Sequence, residues 1–469
     1  HSLDIRITLA DARRVKSRKT ELLLHIEMLE EALRMYTEVF SRGRWELLNE
    51  IVHLLLTLAE THLAADNSTG ALHAYTRAAE AVQPVIRKVQ ALEMQCLLAD
   101  VYNRKAAVLA DCGRFEEAVS LHDDAVRLCE EVLKIRADTP AAVRLVSTYL
   151  SRSRTAGKAG DYDGAVENAR KAQGVCQTYA AVLRPDTLEA LRAAGYGAEA
   201  NALQATGYFK TALEAYENAE TAMEKIRSRD TTRSQYNLAV LSMNRARVLI
   251  QIAQSSRALE HLDRAVALIE EQIRKFGRKE HRRELAIALQ HRAAALRMLG
   301  RCDEALSAAE ASIAIREAFY RRAGIVEMAY DLALSYLEKG RILSMMDAWT
   351  DAADWLGRAA HLLEEAIQQS KTPMALRHQA HALGDLAVAQ LRLGAPETAL
   401  ENVDRALASM DDLVDRAHHS EFAGDRALLQ MVRGQVLDVL GRSDDAAAIR
   451  KQAAVVLKSE AERTGRADF

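Results

Sequence analysis

Aromatic residues make up only 5% of this 469-residue chain, and there are only 5 prolines. A β-rich fold, which draws on aromatic and β-branched residues, is therefore short of material, and long helices have little to interrupt them. Charge of one sign is lacking too: 63 basic against 66 acidic residues leave a net charge of -3. No global field then draws the chain to nucleic acid or to an anionic membrane. No run approaches the roughly 18 uninterrupted apolar residues of a membrane span, and the N-terminus HSLDIRITLADARRVKSRK has no apolar secretion core. Cysteine is sparse and odd in number. Cys96, Cys112, Cys129, Cys176 and Cys302 contain no C-x-x-C pair, which argues against disulfides and zinc and for free thiols in a reducing compartment. Missing as well are a phosphate-binding G-x-x-x-x-G-K-[ST], an H-E-x-x-H and a G-x-S-x-G. From these absences we expect a cytoplasmic protein that is not an enzyme, with no cofactor and no metal.

What is present is helix material. The chain is 49% hydrophobic and 28% charged, and Ala, Leu, Glu and Arg, which lose little rotamer freedom in a helix, dominate it. The Arg and Ala content also points to a bacterial source. One block recurs: GRFEEAVSLHDDAV, GDYDGAVENARKAQ, GYFKTALEAYENAE, GRCDEALSAAEASI, GAPETALENVDRAL and GRSDDAAAIRKQAA. Its first Ala falls at Ala71, Ala118, Ala165, Ala212, Ala258, Ala305, Ala352, Ala399 and Ala446, a step of 47 residues broken once by a step of 46. Twelve residues before each anchor stands another small residue: Ala59, Ala106, Ser153, Ala200, Ala246, Ala293, Gly340, Ala387 and Gly434. Small residues on two antiparallel helices let the axes approach, and the Gly or polar residue between them ends one helix and turns the chain. Each period therefore reads as a helical hairpin, with helix A before the turn and helix B after it. Pro140, Pro185 and Pro373 fall where a helix B should stop and the next helix A begin.

This pattern resembles the tetratricopeptide repeat. It has a small residue in mid helix A, G-x-[YF]-x-x-A at the turn (Phe115, Tyr162 and Phe209 at the aromatic place), and Ala again seven residues later. A bulky residue stands four before the small one (Tyr102, Tyr149, Tyr196, Leu289, Tyr336). Two departures stand out: the usual period is about 34, and the place before the small residue is often basic where the family has Leu. The resemblance implies an all-α, right-handed superhelical solenoid of about nine antiparallel hairpins plus a leading helix. Residues 1–17 then form a lead, 18–463 one continuous array and 464–469 a tail. Gly195 and Gly197 make the fourth helix A the weakest. The opening His1-Ser2, in place of Met, points to a tag remnant or an internal fragment.

The resemblance also implies a non-enzymatic scaffold that binds a partner protein or peptide on a concave wall lined by helix A. The alternative is the sensor arm of a larger signalling protein, an ATPase, kinase or caspase-like protease, whose catalytic domain lies outside this sequence. In the family's register the wall carries Asn103, Arg154, Asn201, Gln204, Arg247, Gln251, Gln290, Arg297, Arg341 and Arg392. Arg and amide side chains can bond a backbone and pair carboxylates, so an acidic segment fits; alternatively these arginines pair with Glu and Asp of neighbouring repeats. A second basic column, Lys105, Arg152, Arg245, Arg292, Lys339 and Arg433, reads as structural, with Asp123, Asp263 and Glu310 placed to meet three of its members. His378 and His381 form an H-x-x-H pair, a metal site only if further ligands converge and otherwise a solvated helix start. The basic runs 13–19 and 277–283 and the pair His418-His419 read as solvated helix ends. An exposed apolar side on the last helix, at Val455, Val456 and Leu457, suggests self-association through terminal repeats.

Overall fold

The structure, a computed structural model, describes residues 2–41, 47–65, 67–89, 91–226, 231–278, 281–323, 326–369, 372–417 and 419–464. His418 and residues 279–280 of the second basic run lie outside these, as do the side chains of the first run. All regular structure among the described residues is helical. A leading helix, α1 (Ser2–Ser41), precedes nine hairpins. The helices A are α2 (Leu48–Ala64), α4 (Leu92–Asp111), α6 (Thr139–Ala159), α8 (Pro185–Ala205), α10 (Thr231–Gln251), α12 (Arg282–Met298), α14 (Val326–Met345), α16 (Pro373–Arg392) and α18 (Ala423–Val439). The helices B are α3 (Ser68–Val89), α5 (Phe115–Ile135), α7 (Tyr162–Thr178), α9 (Phe209–Glu224), α11 (Ser255–Phe276), α13 (Cys302–Ala323), α15 (Trp349–Gln369), α17 (Pro396–Asp411) and α19 (Ser443–Thr464). The leading helix starts at Ser2, well before the expected Arg18. The chain forms two compact units, His1–Ala198 and Glu199–Phe469; the division falls inside α8, next to Gly197.

Local chemistry explains the boundaries. At the α4–α5 turn Gly113 takes φ +76, the left-handed conformation that costs a side chain most, and Arg114 N–H closes on Leu109 C=O at 2.8 Å. Asp347 and Ala253 adopt the same conformation in two other turns without being glycine. Starts are capped as well: Asp138 accepts from Ala141 N–H at 2.9 Å and Thr372 from Ala375 N–H at 3.2 Å, each just ahead of a proline in the first turn.

Packing follows the anchors. Ala71, Ala118, Ala212, Ala258, Ala305, Ala352, Ala399 and Ala446 have no exposed surface, and neither do Ala59, Ala106, Ala200, Ala246, Ala293 and Ala387 on the facing helices. In α11 the buried residues include Ala258, Leu259, Leu262, Ala265 and Ile269, the side its spacing marks out. The aromatic four before the small residue packs its ring inside and ties its hydroxyl to the preceding helix B: Tyr149 donates to Glu130 at 3.2 Å and Tyr336 to Glu317 at 2.9 Å. All five cysteines are free thiols. No helix of the described residues is long and apolar enough to cross a membrane.

The basic column is structural, as its spacing suggests. Arg152 meets Asp123 at 2.8 Å, Arg292 meets Asp263 at 2.7 Å, and Lys339 meets Glu310 at 2.8 Å. Arg433 repeats the contact with Asp404 at 2.6 Å, and Arg245 reaches Glu220 at 2.5 Å. Each pair joins a helix B to the helix A that follows.

A candidate partner-binding wall on the helices A

Successive helices A pack against one another, as α4 with α6, α10 with α12, α12 with α14, α14 with α16 and α16 with α18, and successive helices B do so far less. The side where neighbours crowd is the inner side of a curved array, so within each unit the helices A form the inner wall.

In the first unit Asn103 lies between helices. Its Nδ2 donates to Thr148 Oγ1 at 2.7 Å, and its Oδ1 faces His122 Nδ1 at 3.0 Å. His122 is fully buried, with Nε2 3.0 Å from Thr155 Oγ1. Burial, reinforced by Arg152 and Arg154, pushes its pKa down to about 4. Asn103 is thus committed inside the fold, whereas Arg154 is exposed.

The second unit holds the other eight candidates. Arg297 donates to Glu338 at 2.7 Å and Arg341 to Asp385 at 2.6 Å. Both acids stand on the next helix A, so these cations are spent on cross-bracing the wall, the second of the two roles their composition allowed. The same bracing joins Arg283 to Asp331 at 2.9 Å and Arg377 to Asp425 at 2.7 Å. Arg392 is exposed, its guanidinium 5.6 Å from the Trp349 ring.

The amides behave differently. Gln204 Oε1 accepts from Arg247 Nε at 3.0 Å and Nη2 at 2.6 Å, and Gln204 Nε2 donates to Gln251 Oε1 at 2.8 Å. Tyr216 donates to Asn201 Oδ1 at 2.6 Å, and Arg316 Nη1 donates to Gln290 Oε1 at 2.7 Å. In Asn201, Gln251 and Gln290 the carbonyl oxygen is therefore taken and the NH2 group is left over. The wall of this unit offers donors.

Two cations support that bias without a carboxylate bonded to either. Arg247 holds the amide oxygen of Gln204, and Arg316 holds Gln290 Oε1, Ser335 Oγ at 2.6 Å and the Asp331 carbonyl oxygen. Between them His291 is pushed down to about 3, by burial first and then by Arg247 and Arg316. Arg316 is itself buried, which lowers its pKa to about 10. It stands eleven residues after its anchor, where the other repeats carry Val82, Cys129, Cys176, Met223, Ile269, Leu363, Met410 and Leu457. Sequence reasoning missed it, although an arginine in an otherwise apolar column was the available signal. Arg316→Met fits the apolar column but strips the donor from Gln290 Oε1 and the Asp331 carbonyl oxygen, and is therefore expected to cost about 1 to 3 kcal/mol, as thermal unfolding will show; an unchanged melting temperature would mean that Arg316 does not hold these acceptors.

His378 and His381 also lie on this wall, not at a solvated helix start. His378 Nδ1 is 2.7 Å from the Tyr330 hydroxyl, and His381 Nε2 is 3.4 Å from Asp425 Oδ1. Burial holds both pKa values below the usual imidazole range, with Asp425 partly offsetting it at His381. Among the described residues no group of three His, Cys, Asp or Glu could hold a metal. On α19, Val455 remains exposed, while Val456 and Leu457 are half-buried.

The tetratricopeptide-repeat sequence pattern matches residues 98–141. No curated protein matches the chain. Among solved structures, a Rap protein complexed with competence and sporulation factor is similar over 78% of this chain and 99% of its own, at 14% identity and a TM-score of 0.49. A signal-transduction ATPase with a tetratricopeptide-repeat sensor from Pyrococcus horikoshii aligns over 84% of this chain and 53% of its own, at 12% identity and 0.47. A kinesin-light-chain-like repeat protein from Podospora anserina aligns over 47% and 95%, at 23% and 0.33.

Proposed function

We propose that this chain, a succession of helical hairpins whose residues 98–141 match the tetratricopeptide-repeat pattern, is a scaffold binding a partner segment on the helix-A wall of Glu199–Phe469. The observation that carries this reading is the shared bonding pattern of three amides. Asn201, Gln251 and Gln290 each have their oxygen engaged inside the fold and an NH2 group left over. A row of fixed donors fits a row of acceptors, the carbonyl oxygens of an extended chain or the carboxylates of an acidic one. Arg247 and Arg392 add positive charge on helices A of the same unit.

The double variant Gln251→Glu, Gln290→Glu isolates the idea. A carboxylate at 251 still accepts from Gln204, and one at 290 still accepts from Arg316, so the internal bonds survive while the outward donors become acceptors. We expect an unchanged melting temperature and capture of the partner from the native lysate weakened by about tenfold or more, since two lost hydrogen bonds suffice for that. A partner retained equally by both proteins would move the binding surface elsewhere.

A further inference from the structure

Hairpins in a solenoid touch their neighbours in sequence, because each buries its apolar side on the next. One contact in the second unit breaks that rule. Near the end of α19, Arg463 Nη1 donates to the carbonyl oxygen of Thr206 at 3.0 Å, across 257 positions of sequence. Thr206 directly follows α8, whose last carbonyls have no helical N–H to meet, and a guanidinium there also faces the negative end of the helix dipole. Glu460 grips the same guanidinium from its own helix, with Oε2 2.5 Å from Nη2 and Oε1 3.2 Å from Nε. The fork is thereby aimed.

Beside it, Thr464 Cγ2 lies 2.9 Å from the point that a Cβ on Gly207 would occupy. Gly207 has φ +82, so glycine serves twice here, for the turn and for the close approach. Burial agrees with the contact. Thr464 is 8% exposed and the Glu460 side chain 13%, while Val455, earlier on the same helix, is 69% exposed.

We propose that this contact is a latch: Arg463, Glu460 and Thr464 hold the end of α19 on the α8–α9 turn, close the array of the second unit on itself, and release as a unit. Neighbour contacts fix each hairpin only against the next, so the spread of the helices A over the whole unit is the sum of many small angles. Among the described residues, the latch is the contact that fixes that sum. Whatever displaces α19 from the turn changes the spacing of the wall without touching it, which makes the latch a regulator of the surface proposed above and independent of what binds there.

Hydrogen–deuterium exchange of the full chain tests it without a ligand, comparing wild type with Arg463→Ala and with Thr464→Glu, which sets a carboxylate against the helix end. One charge-assisted hydrogen bond corresponds to about tenfold or more in the opening equilibrium. Exchange should accelerate by that factor in two places at once: the segment 455–464, and the segment 203–212, where Gly207 and Tyr208 N–H close the turn on Gln204 and Leu203. Fraying of a terminal helix accelerates only the first segment. If 203–212 exchanges at the wild-type rate in both variants, there is no latch.

Discussion

Arg377→Met is expected to cost the second unit about 3 to 5 kcal/mol, the range for stripping the partner from a buried charge. The Asp425 carboxylate has no exposed surface; Arg377 Nε lies 2.7 Å from its Oδ2, and the guanidinium stands 5.5 Å from the Phe422 ring. His381 lies 3.4 Å from Oδ1, and burial keeps it below the usual imidazole pKa while Arg377 is in place. The double variant Arg377→Met, Asp425→Leu should recover most of the loss, because an apolar pair of similar volume removes the stranded charge. Urea unfolding of the three proteins decides the matter. A cost below about 1 kcal/mol for the single variant would mean that Asp425 is not a desolvated charge.

Acidification should act on both units through their buried histidines. His122 takes up a proton near pH 6.5 when unfolded but only near 4 when folded. Between those values the unfolded chain binds more protons, so stability falls as the pH drops through that window and levels off below it. At about 1.4 kcal/mol per pH unit, the full loss from His122 over that window is about 3.5 kcal/mol. His291, pushed to about 3, acts in the same direction in the second unit and carries the decline further down. Unfolding free energies at pH 7 and pH 4.5, for wild type and His122→Asn, provide the check. Equal acid sensitivity in the two proteins would remove His122 from the account.

The hairpins were legible because their cause is local. A small residue at one place on each of two helices and a turn signal between them are facts of spacing, and the buried column of Ala71, Ala118 and their equivalents follows directly. Three ion pairs of the basic column, Arg152–Asp123, Arg292–Asp263 and Lys339–Glu310, were legible for the same reason, since each spans one hairpin step at an offset of 29 residues, whereas Arg245 reaches Glu220 over 25. The pairs along the inner wall were not. Arg341 reaches Asp385 over 44 positions, Arg297 reaches Glu338 over 41 and Arg377 reaches Asp425 over 48. Those offsets depend on how far each helix A slides and tilts against the next, which no single repeat encodes. The ten candidate residues lie on helices A, but their free charge was overcounted, because composition cannot say which arginines are already bonded. The five-residue π-turn at Asp412–Arg416 and the N-terminal extension of α1 left no comparable mark in the spacing.

An array held only by nearest neighbours is indifferent to its own length: a hairpin gained or lost by duplication or deletion in the gene leaves every remaining junction as it was. The bond from Arg463 to Thr206 is not indifferent, because it forms only when the right number of hairpins lies between its ends. It acts as a ruler, and a lineage that keeps it has its repeat number held by geometry as well as by descent.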